Sequence, residues 1–561
     1  MKKYKFTLAA VFGICAVAFI VAATFATDSS FAQTPGSTTN PTVKPRIPHS
    51  MFKGGVQGVY QEPALTAEEI AAAQVPGPSP WTKTTNSPPA GAPVGTTLLL
   101  TDGRVLAHND NTPDWYTLTP DNLGSYINGT WTKVASLPAG YMPLYFGSVV
   151  LRDGRVLIEG GEYNGGSTQA ETTKGAIYDP VANTWTTVFP PTGWTSIGDA
   201  SLIVLEDGTA MLAEGPDTKQ AATFNAQTLT WTSFNHLEKF DINSEEGWTL
   251  LPNGTLLTID TYLPKSAYDK NGVNYEIFNP STNLWSLAGT TPVQLWSSAK
   301  GCGGKAVATH EVGPALLLPN NTVFAVGANQ CGRGHTAIYN VASETWTAGP
   351  DLPDSGGNHN DAEDAPAALE PNGKMLIQTS RNTGCGVNIP YCPPSTFFEW
   401  DGTSLTQVAG PPNAVNDASF QGRLLVLPNG QILFTDGSTD IEVFTPSAGN
   451  YSYKPTASPP SAVPRGTSFT LEGTKFNGLS QANAYGDDYQ SATNYPIVRI
   501  TNNATGHVFY CRTHDFSYMG VRYNGAVATT VDVPANTETG ASKLQVVANG
   551  IPSVKYSILI Q

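Results

Sequence analysis

The sequence predicts an all-β protein: a ring of seven four-stranded blades, a β-propeller, followed by a second β-domain. Three observations predict it. An apolar run, an Asp or Asn turn and a second apolar run recur seven times. A tryptophan-bearing strand follows five of those copies at the same place. Glycine (55) and proline (43) are abundant, while charged residues make up 13% of the 561. Such a composition suits many short strands and turns better than helices.

The chain begins "MKKYK", continues apolar from Phe6 to Ala26 and reaches "TDSSFA". A basic start, an apolar middle and a small-x-Ala end read as a secretory signal over 1–32. The alternative is an uncleaved anchor, since an apolar run of this length can span a bilayer. Either way the bulk of the protein is expected outside the cytoplasm: secreted, periplasmic or at the cell surface. Residues 33–79 are rich in Pro, Thr, Gly and Ser and read as a flexible linker, with a short helical patch at "LTAEEIAAAQ".

The repeats occupy 80–457. Their hairpin residues are Asp102, Asp153, Asp207, Asn253, Asn320, Asn372 and Asn429, 46 to 67 residues apart. Asp-Gly or Asn-Gly between apolar runs signals a tight hairpin, because both residues tolerate positive φ. Unbroken apolar runs indicate strands buried on both faces. A third strand follows, as in "IYDP" (177–180), "IFNP" (277–280) and "VFTP" (443–446). The fourth carries Trp131, Trp185, Trp231, Trp285 or Trp346, whose indoles are expected between sheets. Copies six and seven lack it. Four strands every fifty or so residues mark a propeller blade. "SPWTKT" at Trp81 is an orphan fourth strand, placed to pair with the last blade and close the ring. After about residue 457 the rhythm stops, but strand patterns continue to Gln561.

Acidic residues outnumber basic ones, for a formal net charge of −15. Without the first 32 residues, 27 basic and 44 acidic side chains remain, a net −17. That surface repels phosphate backbones, so nucleic acid is not an expected partner. Membrane contact is expected only through residues 6–26, if they are uncleaved. Cys302, Cys331, Cys385, Cys392 and Cys511 follow the leader. In an oxidising compartment Cys385 could pair with Cys392 and Cys302 with Cys331, leaving Cys511 over.

The repeat is of the kelch type and resembles most the galactose oxidase-like propellers. That resemblance implies seven blades and, over 458–561, an Ig-like β-sandwich. A loop of that domain would reach the propeller axis, and "VFYCRTHDFSYMGV", with His514, is the stretch expected to supply it. In the copper radical oxidases of the group, an axial tyrosine cross-linked to cysteine, a Tyr-His pair and a histidine from the C-terminal domain hold copper. Tyr145, eight residues before Asp153, matches the tyrosine position. Tyr163 resembles the aromatic covering the cross-link, and His514 the C-terminal histidine. The cysteine position falls near Val94 and the Tyr-His pair at Phe420-Gln421. Copper(II) wants imidazole and oxygen donors in a tetragonal set, so copper radical oxidase activity is not expected.

The same count of eight marks where each innermost strand begins, near the axis. It gives Asp199 in copy three, Glu245 beside Glu246 in copy four, and Asp364 in copy six. In copy five it gives Val312, with His310 and Glu311 just before it. With Tyr145, Tyr163 and His514 these form an expected ligand-binding crown. Crowded carboxylates raise one another's pKa unless a cation intervenes. Asp199, Glu245, His310, Asp364 and His514 are the expected ligands of a divalent cation, Ca²⁺ or Mn²⁺. The other reading is strand-end capping. The function expected is an exported binding protein for an extracellular glycan, another polyol or a protein. An oxidoreductase related to galactose or glyoxal oxidase, or a metal-assisted hydrolase or lyase, stays open.

Overall fold

The computed structural model describes residues 65–73, 75, 77–215, 218–262, 273–297, 309–382, 392–449, 453–488 and 491–561. The expected leader, most of the linker, Cys302 and Cys385 lie outside them. Cys331 and Cys392 are each held in a disulfide, and Cys511 is a buried free thiol.

Seven antiparallel blades form the ring, six of them four-stranded sheets and blade six extended to six strands by Asn360–Asp361 and Asn483–Ala484. Their innermost strands are Thr97–Leu99, Gly147–Val150, Leu202–Val204, Thr249–Leu250, Ala315–Leu317, Ala367–Leu369 and Arg423–Val426. Those of blades one and seven touch, which makes the arrangement a closed circle. The orphan strand does close it. Trp81–Lys83 pairs antiparallel with Glu442–Phe444, with Trp81 opposite Phe444.

The hairpin works differently from the two-residue turn read in the sequence. At each of the seven hairpins the Asp or Asn side chain accepts the N–H two residues on, as Asp153 does from Arg155 at 3.0 Å and Asn320 from Thr322 at 3.2 Å. Only the residue after it is left-handed: Gly154 has φ 82° and, in the Asn-Asn copy, Asn321 has φ 65°. This is a longer hairpin loop, in which the first position needs a short acceptor side chain and the second needs positive φ.

The fourth-strand tryptophans key blades together. Trp185 of blade two lies 5.2 Å from Trp115 of blade one and donates to Ala135 O at 3.0 Å. Trp346 of blade five meets Tyr275 of blade four at 5.7 Å. Blade seven borrows its tryptophan from the N-terminal strand, for Trp81 meets Phe397 of blade six at 5.4 Å and donates to Ala409 O at 2.6 Å. Blade six has Leu405 at this position, opposite Trp400. There Trp400 itself, on the third strand, stacks on Phe324 of blade five at 4.3 Å.

Ahead of the ring, the short helix Ala67–Ala73 rests on blade six, where Gln407 donates to Ala72 O at 2.7 Å. The C-terminal residues form a nine-stranded sheet that curls on itself. Val508–His514 pairs by its first half with Ile497–Asn502 and by its second with Ala526–Asp532. Leu471, Val498, Ile500, Cys511, Val531 and Leu544 lie in its own apolar core. Among the described residues no helix is long and apolar enough to cross a membrane.

Candidate functional site

The axis is occupied by chain. Between Ser468–Thr474 and Ile497–Asn502 the C-terminal domain sends a loop along it, "QANAYGDD" (481–488). Gln481 accepts from Leu250 N at 2.8 Å, and Asn483 from Val426 N at 2.9 Å. Asn483–Ala484 pairs with the innermost strand of blade six. Ser491 donates to Thr97 O at 2.6 Å and Tyr495 to Leu99 O at 2.5 Å.

That corrects the expected loop. His514 does not reach the crown. Its segment lies against the hairpins at the other end of the innermost strands: Thr513 N donates to Thr101 O at 3.2 Å and Phe516 N to Arg152 O at 3.2 Å. The His514 ring is held within its own domain by Asp515 at 2.8 Å and Asp532 at 3.1 Å. A histidine on a strand edge is pinned by the sheet, whereas a long loop is free to cross to the axis.

At the expected mouth, Tyr145, Glu245 and Asp364 share a left-handed backbone, with φ of 53°, 58° and 44°. Such a conformation is uncommon for residues with a Cβ and persists only where the surroundings enforce it. It turns the chain sharply just before three different innermost strands. Around Tyr145 the site is aromatic and cationic. Tyr163 packs edge-on at 6.1 Å and Phe420 at 6.5 Å. The buried Arg423 guanidinium lies 5.9 Å from the Tyr145 ring and 4.2 Å from that of Tyr485 in the central loop. It donates to Phe420 O at 2.7 Å and Gly422 O at 2.9 Å. Burial opposes its charge, but Tyr485, Asp488, Asp110 and Tyr145 outweigh burial and raise its pKa, so it stays protonated.

Across the mouth the site is acidic. Asp199, Glu245 and the central loop's Asp487 each offer a carboxylate oxygen, all within 4.8 Å of one another and all buried. Two crown residues are thus brought together with one the sequence reading missed. Asp364 sits beside the loop, where a side chain on Gly486 would meet its Oδ1 at 2.5 Å, but it is not one of the three. Glu246 turns away to Lys239, 2.7 Å distant. Glu311 is buried, and its carbonyl accepts from Ser297 N at 2.7 Å. His310 is not among the clustered carboxylates. It stacks between Tyr262 at 4.1 Å and Trp296 at 5.1 Å, with Nδ1 2.8 Å from Thr261 O. Burial pushes Asp361, at the same end of blade six, up to about 7.

Copper does not fit beside Tyr145. Phe420 and Gln421 stand where two donors would be needed. A protonated guanidinium between two tyrosine rings repels a second cation, and no histidine joins either described group of clustered carboxylates.

Asp487, Asp488, Tyr485 and Arg423 escaped the sequence reading. "YGDD" (485–488), in an unpatterned stretch between strands, was the available signal for the first three. Arg423 gave none, since it opens an apolar strand.

No family model matches the chain. Over 248 residues it is 26% identical to the Kelch-like protein terF of Aspergillus terreus, covering 40% of this chain and 48% of that protein. The chain thus spans about half the length of this curated relative. Among solved structures it is similar to a fungal alcohol oxidase of the AA5 family in complex with copper. There the identity is 15% and the TM-score 0.44, covering 87% of this chain and 100% of the other. A second is the extracellular domain of a one component system from B. thetaiotaomicron, with 10% identity, a TM-score of 0.39, and 85% and 56% covered.

Proposed function

We propose that this kelch-like propeller is an exported binding protein whose axial mouth holds a divalent cation, Ca²⁺ or Mn²⁺, and through it a polyol such as a glycan. The observation that carries the reading is the meeting of Asp199, Glu245 and Asp487 from two blades and the central loop. Three buried carboxylates so close repel one another, and a hard dication offsets that repulsion through oxygen donors. Vicinal hydroxyls are suitable further ligands for such an ion. Export is supported by the signal-like N-terminus and by the disulfide-bonded Cys331 and Cys392, since disulfides persist in oxidising compartments.

The test is calcium and manganese content of the purified protein, followed by polyol binding with and without chelator. Asp487→Asn is expected to remove one equivalent of metal and the chelator-sensitive binding. Unchanged metal content in that variant would sink the reading.

A further inference from the structure

We propose a second, separate cation site in blade four, formed by Asp241, Glu246 and Asp260 and suited to Ca²⁺ or a similarly hard dication. One oxygen from each lies within 4.8 Å of the others. Glu246 and Asp260 are 0% exposed and Asp241 4%.

The three carboxylates are not equally committed. Asp241 is fixed by the backbone: its Oδ2 accepts the N–H groups of Thr261 and Tyr262, each at 2.7 Å, and its Oδ1 that of Ile242 at 2.7 Å. Glu246 gives only Oε1 to Lys239, at 2.7 Å. Its Oε2 has no hydrogen-bond partner among the described residues, and neither oxygen of Asp260 has one. Three buried acceptors of this carboxylate cluster, Glu246 Oε2 and both oxygens of Asp260, therefore have no donor of their own. Buried polar atoms are nearly always satisfied, so each exception asks for a missing partner.

The charges ask for a cation. Lys239 is the ammonium of the cluster. It is spent on Glu246 and on Glu276, 3.1 Å away, while Glu276 also accepts Phe240 N at 2.8 Å. Four carboxylates, Asp241, Glu246, Asp260 and Glu276, share that single positive charge. A dication between the uncommitted oxygens reduces the excess from three to one. All donors are hard oxygens, which selects Ca²⁺ or Mg²⁺ over softer ions.

The site ties together three segments: the connection from blade three (Lys239, Asp241, Glu246), the end of the second strand (Asp260, after Leu256–Ile259) and the third strand (Glu276, in Asn274–Asn279). Glu245 belongs to the same connection, so a cation here also fixes the backbone that presents Glu245 to the axis. The two sites remain chemically distinct, because adjacent glutamates serve different groups.

The experiment counts calcium per chain in full-length protein purified with Ca²⁺ and then desalted. Wild type, Asp260→Asn and Asp487→Asn are compared. Asp260→Asn is expected to lose one equivalent, whatever Asp487→Asn does. Terbium luminescence sensitised by Trp285, whose ring lies 5.2 Å from Lys239 Nζ, should fall at least several-fold in Asp260→Asn. Undiminished calcium in Asp260→Asn overturns the proposal, as does a wild type holding only the equivalent that Asp487→Asn removes. Should Asp260→Asn fail to fold, wild-type crystals grown with Mn²⁺ decide. An anomalous peak bounded by Asp241, Glu246 and Asp260 supports the site, and its absence overturns it. Loss in Asp260→Asn with full retention in Asp487→Asn would sink the axial reading and leave this one standing.

Discussion

Blades two and four treat the same position in opposite ways. Tyr145 and Glu245 both lie eight residues before the hairpin and both have left-handed backbone. One sits among Tyr163, Phe420 and Arg423, the other against Asp199 and Asp487. The split runs through the central loop as well, where Tyr485 faces Arg423 and Asp487, two residues on, joins the carboxylates. The repeat thus supplies a common backbone at Tyr145 and Glu245, while Arg423 makes one side of the mouth cationic and Asp199, Glu245 and Asp487 make the other acidic. A protein cation on one side and a carboxylate trio on the other direct any free cation to blades three and four.

Both halves depend on a closed ring, so the largest expected effect comes from opening it. Trp81→Ala removes the tryptophan that blade seven borrows, and its burial against three phenylalanines. A loss of about 3–5 kcal/mol is expected, read by urea denaturation. An unchanged midpoint would show that the closing strand is dispensable.

The acidic half comes next. A cation bound to the native state alone adds about 2.7 kcal/mol at a hundredfold excess over Kd. Chelator should lower the melting temperature and Ca²⁺ restore it. In Asp199→Asn with Asp364→Asn this response should shrink, and stability in chelator should rise by about 1 kcal/mol as repulsion is relieved. A double variant that melts like wild type in both conditions would make the acidic half ordinary strand-end capping.

Glu442, in blade seven, is the control: a buried carboxylate outside the acidic half. Burial first, then Asp440 and Asp436, push it up to about 8. A raised carboxylate pKa means the folded state binds the extra proton. Its contribution is therefore full below the ordinary value near 4.5 and lost as pH rises through about 8. Glu442→Gln should gain about 1–2 kcal/mol relative to wild type between pH 5 and pH 8. A difference that does not vary with pH would refute this, and Ca²⁺ should not alter it.

The smallest expected effect is none. Copper-loaded protein should yield no hydrogen peroxide from galactose or glyoxal-type substrates, because Arg423 holds the place beside Tyr145. Peroxide production abolished by Tyr145→Phe would reverse the assignment of the cationic half.

The ring was legible because its signals are local and repeated. Seven Asx side chains make the same hydrogen bond two residues on, and a bond of that reach leaves its mark in the sequence. Trp81 was legible as an incomplete copy of the same unit. Asp199 and Glu245 were legible because counting from the hairpin finds one geometric place in every blade. The central loop was not. Residues 481–488 follow no period, and their partners, Leu250, Val426 and Phe420 among them, lie far away in sequence. His514 attracted attention as a metal-type residue, yet residue type says nothing about which end of the ring a strand faces. Lys239 and Asp260 converge only once blade four is folded.

The borrowed strand also sets an order of events. Residues 81–83 leave the ribosome more than 350 residues ahead of the 442–444 segment they clasp. Until then blade one lacks one neighbour, and the leading strand keeps unpaired edge groups, the condition in which β-proteins mispair with other chains. The central loop arrives later still, after the sequence of the last blade is complete. Its tip must therefore enter the axis before the clasp shuts, or slide in lengthwise afterwards. Either way, residues made after every blade reach back to the first and last blades together, through Ser491 and Asn483, and the ring is finished only once they have been made.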